Sequence, residues 1–180
     1  MSIRNMAKKI LIFASGNGSN FQAIVEQLKD EDVLFELLVD KENCFARERA
    51  KNLGIKCHYV PFKETVDFLK TADKYDLYVL AGYMRILPKE VLDFGTFINI
   101  HPSLLPKYKG VNAIGQAYSA GEKECGVSVH YVCEEVDSGD IIKQEALPIL
   151  EGMSLEELET EVHKLEHLVY PEVIKNLLRN

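Results

Sequence analysis

A chain of 180 residues, 47% of them hydrophobic, is long enough to build a substantial core and suits one domain better than two. A net charge of −7 argues against a nucleic-acid partner, which needs a basic face, yet leaves room for a small phosphorylated ligand, because a helix N-terminus holds phosphate without Lys or Arg. No apolar stretch approaches the roughly 20 residues of a membrane-crossing helix, and the start (Arg4, Lys8 and Lys9, then apolar 10–14) ends in Ser15-Gly16-Asn17-Gly18, a strand entering a turn rather than an export signal, so the cytoplasm is the expected compartment.

In chain order, apolar runs with strand character fall at 10–13, 35–39, 57–60, 77–81 and 97–101. Between them lie stretches with helical spacing. Phe21, Ile24, Val25 and Leu28 share one face by the i, i+3, i+4, i+7 rule, and 46–53 and 66–72 are shorter examples. Near-continuous apolar strands are buried on both faces, with crossover helices covering them, so the first part predicts a mostly parallel, doubly wound α/β sheet. The second part changes. Runs at 127–132 and 141–149 are separated by the short stretch Glu134 to Asp140 with its Ser138-Gly139-Asp140 turn, too short for a parallel crossover, which predicts an antiparallel strand pair. The last element spans 154 to about 178. Ser154 and Glu157 form a capping-box signature, and Pro171 predicts a kink or break near Tyr170. Cys44, Cys57, Cys125 and Cys133 match no zinc or disulfide spacing and read as reduced thiols, and the five histidines have no metal-like spacing.

Ser15-Gly16-Asn17-Gly18-Ser19-Asn20 follows the first strand and opens the first helix. Ser19 and Gln22 fit a capping box that places the helix start here. Glycines let the backbone approach a ligand, and the free N–H groups of a first turn, with the helix dipole behind them, suit an anion. An ordinary tight strand-to-helix turn explains the same residues. The loop is neither a P-loop, since it lacks Gly-Lys-Ser/Thr, nor a full dinucleotide fingerprint, since position 21 is Phe.

The fifth strand ends Asn99-Ile100-His101-Pro102-Ser103-Leu104-Leu105-Pro106. Alternation puts Asn99 and His101 on one side, near the strand end where open α/β sheets bind ligands. An amide N–H can meet a developing oxyanion, and an imidazole can donate or accept a proton near neutrality. Asp137, in the loop after the sixth strand, is the best candidate to orient that imidazole or take a proton. The trio suits acyl transfer to an amine. Ser103 lacks the G-x-S-x-G elbow of a serine hydrolase, and His130 reads as a packed or hydrogen-bonded histidine. Taken singly, a strand-end His and a turn Asp are more often structural.

Four segments together resemble the phosphoribosylglycinamide formyltransferases of the folate-dependent formyltransferase superfamily. They are Ser15 to Ile24, Leu80-Ala81-Gly82-Tyr83-Met84-Arg85-Ile86-Leu87, Asn99 to Pro106, and Gly126 to Val132 continuing to Asp137-Ser138-Gly139. The resemblance implies one Rossmann-like formyltransferase domain over 1–180. Within it, 1–7 would be an extension, about 8–82 a phosphate-binding half, and about 83–180 a catalytic and folate-binding half. It implies that Gly18, Ser19 and Asn20 hold a substrate phosphate, that Asn99, His101 and Asp137 are catalytic, and that Met84, Arg85, Ile86, Leu87 and Glu134 meet the folate. Glu166 would contact the ribose or glycinamide end of the substrate. Lys63 stands where some members carry an anion-binding Arg, keeping the charge but losing the bidentate fork. The segment 111–116 departs from members that carry histidines there. The expected reaction moves a formyl group from 10-formyltetrahydrofolate, as cosubstrate, to glycinamide ribonucleotide in purine synthesis. No metal, nucleic acid or membrane is expected, and the protein would be a monomer or homodimer.

Other readings stay open. Methionyl-tRNA formyltransferases share the site but carry a further C-terminal domain, and the acidic charge disfavours tRNA. Formyl-folate hydrolases carry a further N-terminal domain, and sugar-amine formyltransferases fit the glycine loop poorly. A nucleotide-binding α/β module without catalysis would require the Asn99, His101 and Asp137 arrangement to be accidental or vestigial.

Overall fold

The computed structural model describes residues 7–180, so the expected 1–7 extension lies outside the described residues apart from Ala7. The elements run β1 (Lys8–Ala14), α1 (Ser19–Gln27), β2 (Val33–Val39), α2 (Phe45–Leu53), β3 (Lys56–Tyr59), a 3-10 turn (Phe62–Glu64), α3 (Thr65–Thr71), β4 (Leu77–Leu80), α4 (Lys89–Leu92), β5 (Phe97–His101), α5 (Ala113–Ser119), β6 (Glu124–Tyr131), β7 (Ile141–Pro148) and α6 (Leu155–Arg179). The strands form one seven-stranded sheet in the order β3-β2-β1-β4-β5-β6-β7. β1 to β5 pair in parallel, while β6 runs antiparallel to β7, as the short connection predicts, and also to β5. The chain winds outward from β1 to β3 and returns to β4 on the other side of β1. The topological switch point, where open α/β sheets form their ligand crevice, therefore lies between β1 and β4.

Period-two alternation divides the strands between two cores. On the first face, Ile10, Ile12, Leu37, Val79, Ile98 and Val127 pack beneath α1, α2, α5 and α6. On the second, Leu11, Phe13, Leu38, Tyr78, Leu80 and Phe97 pack beneath α3 and α4. Tyr78 stacks on Phe97 with ring centroids 4.4 Å apart. Along β5 the second-face positions change from Phe97 to Asn99 and His101, and the facing β6 positions are His130 and Ser128. The second core ends where this polar strip begins.

Three expectations need correction. The Ser19/Gln22 capping box does not form: the N-cap is Gly18 at φ 77°, without a side-chain cap. Gln22 instead reaches Glu26 and accepts from Arg49, so the Ser19 hydroxyl is left free of the helix terminus. Pro171 does not break α6, which continues to Arg179. A proline orphans the carbonyl four residues back. Here that carbonyl, on His167, accepts from Gln27 Nε2 of α1 at 2.5 Å, which removes the main reason for the helix to end. α4 and α5 were not foreseen. The first is a single turn, and the second carries Gly115, a weak helix former, under the side chain of its N-cap Asn112. The Ser154/Glu157 capping box is present, with Glu157 N–H donating to Ser154 Oγ at 3.2 Å and Ser154 N–H donating to Glu157 Oε2 at 2.7 Å.

Candidate active site

The glycine loop leaves β1 at the switch point. Gly18 needs to be glycine for two reasons: its φ is positive, and a Cβ would stand 2.7 Å from Ala46 Cβ of α2. α2 closes the loop from outside. Ala46 N–H donates to Gly16 O at 3.0 Å, and Arg49 donates to Asn17 O and Asn17 Oδ1, both at 2.8 Å. With no side chain capping α1, its first N–H groups face outward beside the half-buried Ser19 and Asn20. That is an anion-receptive terminus.

On the polar strip, the loop between β6 and β7 folds back and sets Asp137 between two imidazoles. Asp137 Oδ2 lies 3.3 Å from His101 Nδ1, and Oδ1 lies 3.6 Å from His130 Nε2. Gly110 N–H also donates to Oδ2 at 2.8 Å. Burial opposes the charge on Asp137, but the bonds from His130 and Gly110 and the charge of the two imidazoles outweigh it and hold the carboxyl below its ordinary value. His101 and His130 are both buried. His101 Nε2 donates to Tyr108 O at 2.8 Å, since a carbonyl only accepts, and doubly protonated the ring satisfies that carbonyl and Asp137 together. His130 Nδ1 donates to Tyr131 O at 2.8 Å, and Asn99 Nδ2 lies 3.3 Å from His130 Nε2.

The support of this cluster is itself polar. Ser128 Oγ donates to Ser103 O at 2.6 Å and accepts from Leu105 N–H at 3.1 Å, while Gln144 Nε2 donates to Leu105 O at 2.8 Å. Ser103 Oγ donates to Lys107 O at 2.7 Å, so this serine fastens the turn after β5 and is not presented as a nucleophile. Left-handed backbone gathers in the two loops that meet here, at Tyr108, Gly110, Asn112 and Asp137. Such strain is typical of functional sites.

The remaining expected residues are arranged around this centre. Met84, Arg85 and Ile86 are exposed in the loop after β4, whereas Leu87 is buried in the second core and offers the surface only its backbone. Met84 N–H donates to Ser15 Oγ at 2.9 Å, which joins this loop to the exit of β1. Lys63 is exposed next to Phe62, whose ring lies 5.8 Å from the Arg85 guanidinium carbon. Glu134 is exposed in the Asp137 loop. Glu166 is buried on α6, across the sheet from Asn99 and His101, and accepts from His163 Nδ1 at 2.8 Å. Its neighbour His167 is lowered in pKa chiefly by burial, with Glu166 opposing and His163 and Arg49 adding to the shift. The structure thus brings Asn99, His101 and Asp137 together, while Glu166 approaches from the other side of the sheet.

A polar Asn–His–Asp cluster with a buried imidazole, in a sheet whose glycine loop opens an uncapped helix at the switch point, narrows the comparison with known proteins. A family model described as formyl transferase matches residues 8–174. The chain belongs to the formyl transferase family. Its relatives include the phosphoribosylglycinamide formyltransferase of Bacillus subtilis (strain 168), 45% identical over 185 residues and 95% of each chain. The Escherichia coli (strain K12) protein of the same name is 39% identical over 92% of this chain and 84% of its own. Among solved structures, phosphoribosylglycinamide formyltransferase from Bacillus halodurans superposes with a TM-score of 0.87 at 40% identity, covering 95% of both chains. Glycinamide ribonucleotide transformylase 1 from Geobacillus kaustophilus gives 0.88 at 40% identity, covering 96% and 99%.

Two residues of this formyl transferase escaped the sequence reading. His130 is buried and hydrogen-bonded, as expected, but its place between Asn99 and Asp137 goes beyond that expectation; its pairing opposite Asn99 across β5 and β6 is the available signal. Arg49, on the exposed side of α2, holds the glycine loop, and no local pattern marks it. Among the described residues no group of three His, Cys, Asp or Glu side chains is placed to hold a metal ion, and no helix is long and apolar enough to cross a membrane. A surface hollow at the N-terminal ends of β1 and β2, where Lys8 pairs with Asp76 and Lys9 with Asp73, lies away from these reactive groups.

Proposed function

We propose that this formyl transferase moves the formyl group of 10-formyltetrahydrofolate to the amine of glycinamide ribonucleotide, a step of purine synthesis. The observation that carries the reading is the buried carboxylate of Asp137 facing His101 Nδ1 at 3.3 Å beside Asn99. The names of relatives 45% and 39% identical support the choice of substrates.

The glycinamide nitrogen attacks the formyl carbon, and the carbonyl oxygen takes the electron pair as a tetrahedral oxyanion. Asn99 Nδ2, beside His130, offers an N–H to that oxyanion. His101 Nε2–H is its second donor, and the oxyanion competes for it with the Tyr108 carbonyl. Asp137 orients the ring and stabilises its charge. The attacking nitrogen loses a proton, the folate nitrogen gains one, and the C–N bond to the folate breaks without a covalent enzyme intermediate. Gly18, Ser19 and Asn20 hold the substrate phosphate. Met84 to Leu87 and Glu134 receive the folate, Glu166 receives the ribose or glycinamide end, and Lys63 meets an anion at the rim. The domain spans the whole chain, with a phosphate-binding half to about residue 82 and a catalytic and folate-binding half after it. It works in the cytoplasm as a monomer or homodimer and without a metal.

Formyl transfer from 10-formyltetrahydrofolate, measured with and without glycinamide ribonucleotide beside a His101→Ala control, tests this. Nucleotide-dependent transfer that collapses in the control supports reaction and site together. Formate release without the nucleotide would make the protein a hydrolase instead.

A further inference from the structure

The loop after β4 is tied down at three points. Ser15 makes two of them, donating its N–H to Gly82 O at 3.1 Å and accepting from Met84 N–H at 2.9 Å. The third is Asp40, the residue directly after β2, whose Oδ2 accepts from Arg85 Nε at 2.5 Å. Because β1 lies between β2 and β4, this ion pair spans the exit of β1, where the glycine loop begins.

The pair is asymmetric. The Asp40 side chain is 0% exposed and that of Arg85 is 44% exposed. A carboxylate so placed is strongly unfavourable without a cation, and among the described residues Arg85 is the one within ion-pair distance. Arg85 is therefore drawn inward, over the Phe62 ring, although an arginine at a rim would ordinarily extend into water. Asp40 Oδ1, Tyr83 OH and Thr65 Oγ1 are buried without hydrogen-bond partners. Burial pushes the Tyr83 phenol up to about 12; Thr65 opposes the shift and the charge of Asp40 adds to it, so the residues on both sides of Met84 respond to this one carboxylate. Nothing in the sheet requires a charge there, and an unpaired Asp is almost never fully buried.

We propose that Asp40 is a positioning residue for the formyl donor: through Arg85 it fixes the backbone of Met84 to Leu87 where that backbone meets the folate ring. The proposal rests on the reading of this loop as the donor pocket. Asp40 touches no reactant, so its loss weakens donor binding and leaves the chemical step alone.

Steady-state kinetics of Asp40→Asn, an isosteric change that removes only the charge, test it with both substrates varied. The KM for 10-formyltetrahydrofolate rises about tenfold, the scale of one hydrogen bond to a charged group. The KM for glycinamide ribonucleotide and kcat stay within about twofold, the signature of lost uniform binding. Arg85→Met raises the same donor KM, and the double variant is no worse than Arg85→Met alone, because Asp40 acts through Arg85. Should Asp40→Asn not fold, Asp40→Ser, which also removes the charge and keeps a small polar side chain, carries the test. An unchanged donor KM, an equal rise in both KM values, or effects that multiply in the double variant would overturn the proposal. Wild-type protein that binds the donor by calorimetry without transferring formyl would end the functional reading alone, and Asp40→Asn must then weaken that binding about tenfold. Wild-type protein that does not bind the donor overturns both.

Discussion

Replacing Asp137 by Asn removes a charge while keeping what the backbone needs. Asp137 sits at φ 50°, in the left-handed region that Asn tolerates as readily as Asp. The Asn Oδ1 can still accept Gly110 N–H, which now donates to Asp137 at 2.8 Å. What goes is the negative charge 3.3 Å from His101 and 3.6 Å from His130. Positioned proton transfer contributes about 10²–10⁴-fold to rate, or about 3–5 kcal/mol of barrier. The variant should therefore lose about 10²–10⁴-fold in kcat, with both KM values within a few fold, in a formyl-transfer assay. A kcat within about fivefold of wild type would refute the role given to Asp137. A second measurement separates chemistry from folding. The folded-state pKa of Asp137 is depressed, because hydrogen bonds and the imidazoles outweigh burial. Its contribution to stability is then complete above the ordinary carboxylate value of about 4 and disappears as pH falls through the lower folded value. The gap in urea midpoint between wild type and variant should be constant from about pH 5 to 7 and close below about pH 4. A gap that widened towards acid would mean that Asp137 is not held ionised by its neighbours.

Gly18→Ala combines a positive φ, costing about 1–2 kcal/mol, with a Cβ 2.7 Å from Ala46 Cβ, costing about 1–3 more, so thermal melts should show Tm about 5–15 °C lower and the KM for glycinamide ribonucleotide raised. Ser154→Ala removes the α6 capping box at about 1 kcal/mol, lowering Tm by about 2–4 °C with turnover unchanged; altered turnover would mean that the α6 terminus is coupled to the site. His163 is raised in pKa by its bond to Glu166, against burial, so its stabilisation is present below about pH 6.5 and fades as pH rises through the folded value. Denaturant midpoints of His163→Gln should therefore fall below wild type at pH 5–6 and converge with it in mild alkali; divergence at high pH would reverse the argument.

Local pattern was enough for the strands, because β1 and β4 are so fully buried that their apolar runs admit no other reading. The short connection between the last two strands was enough for their antiparallel pairing. Local pattern failed where a partner distant in sequence decided the outcome. Pro171 ought to end a helix, and does not, because Gln27 supplies the bond its missing partner withholds, 140 residues away. Ser19 and Gln22 match a capping box, and do not form one, because Arg49 claims Gln22. No local pattern marks Asp40; only the tertiary placement of Arg85 pairs it.

The site follows the same division. Asn99 and His101 were legible because they interrupt an apolar alternation: Phe97 belongs to the second core, and the next two positions on that face do not. A sheet face covered by no helix has to be covered by something, and here the loops around Tyr108 to Gly110 and Glu134 to Gly139 cover it, carrying Asp137 in with them. The antiparallel turn of β6 makes this possible. It sets His130 directly across from Asn99 and Ser128 across from His101, so one register brings two imidazoles, an amide and a hydroxyl onto the same strip. The reversal of β6 against β5, which no local pattern announces, is therefore the structural step that sets this register.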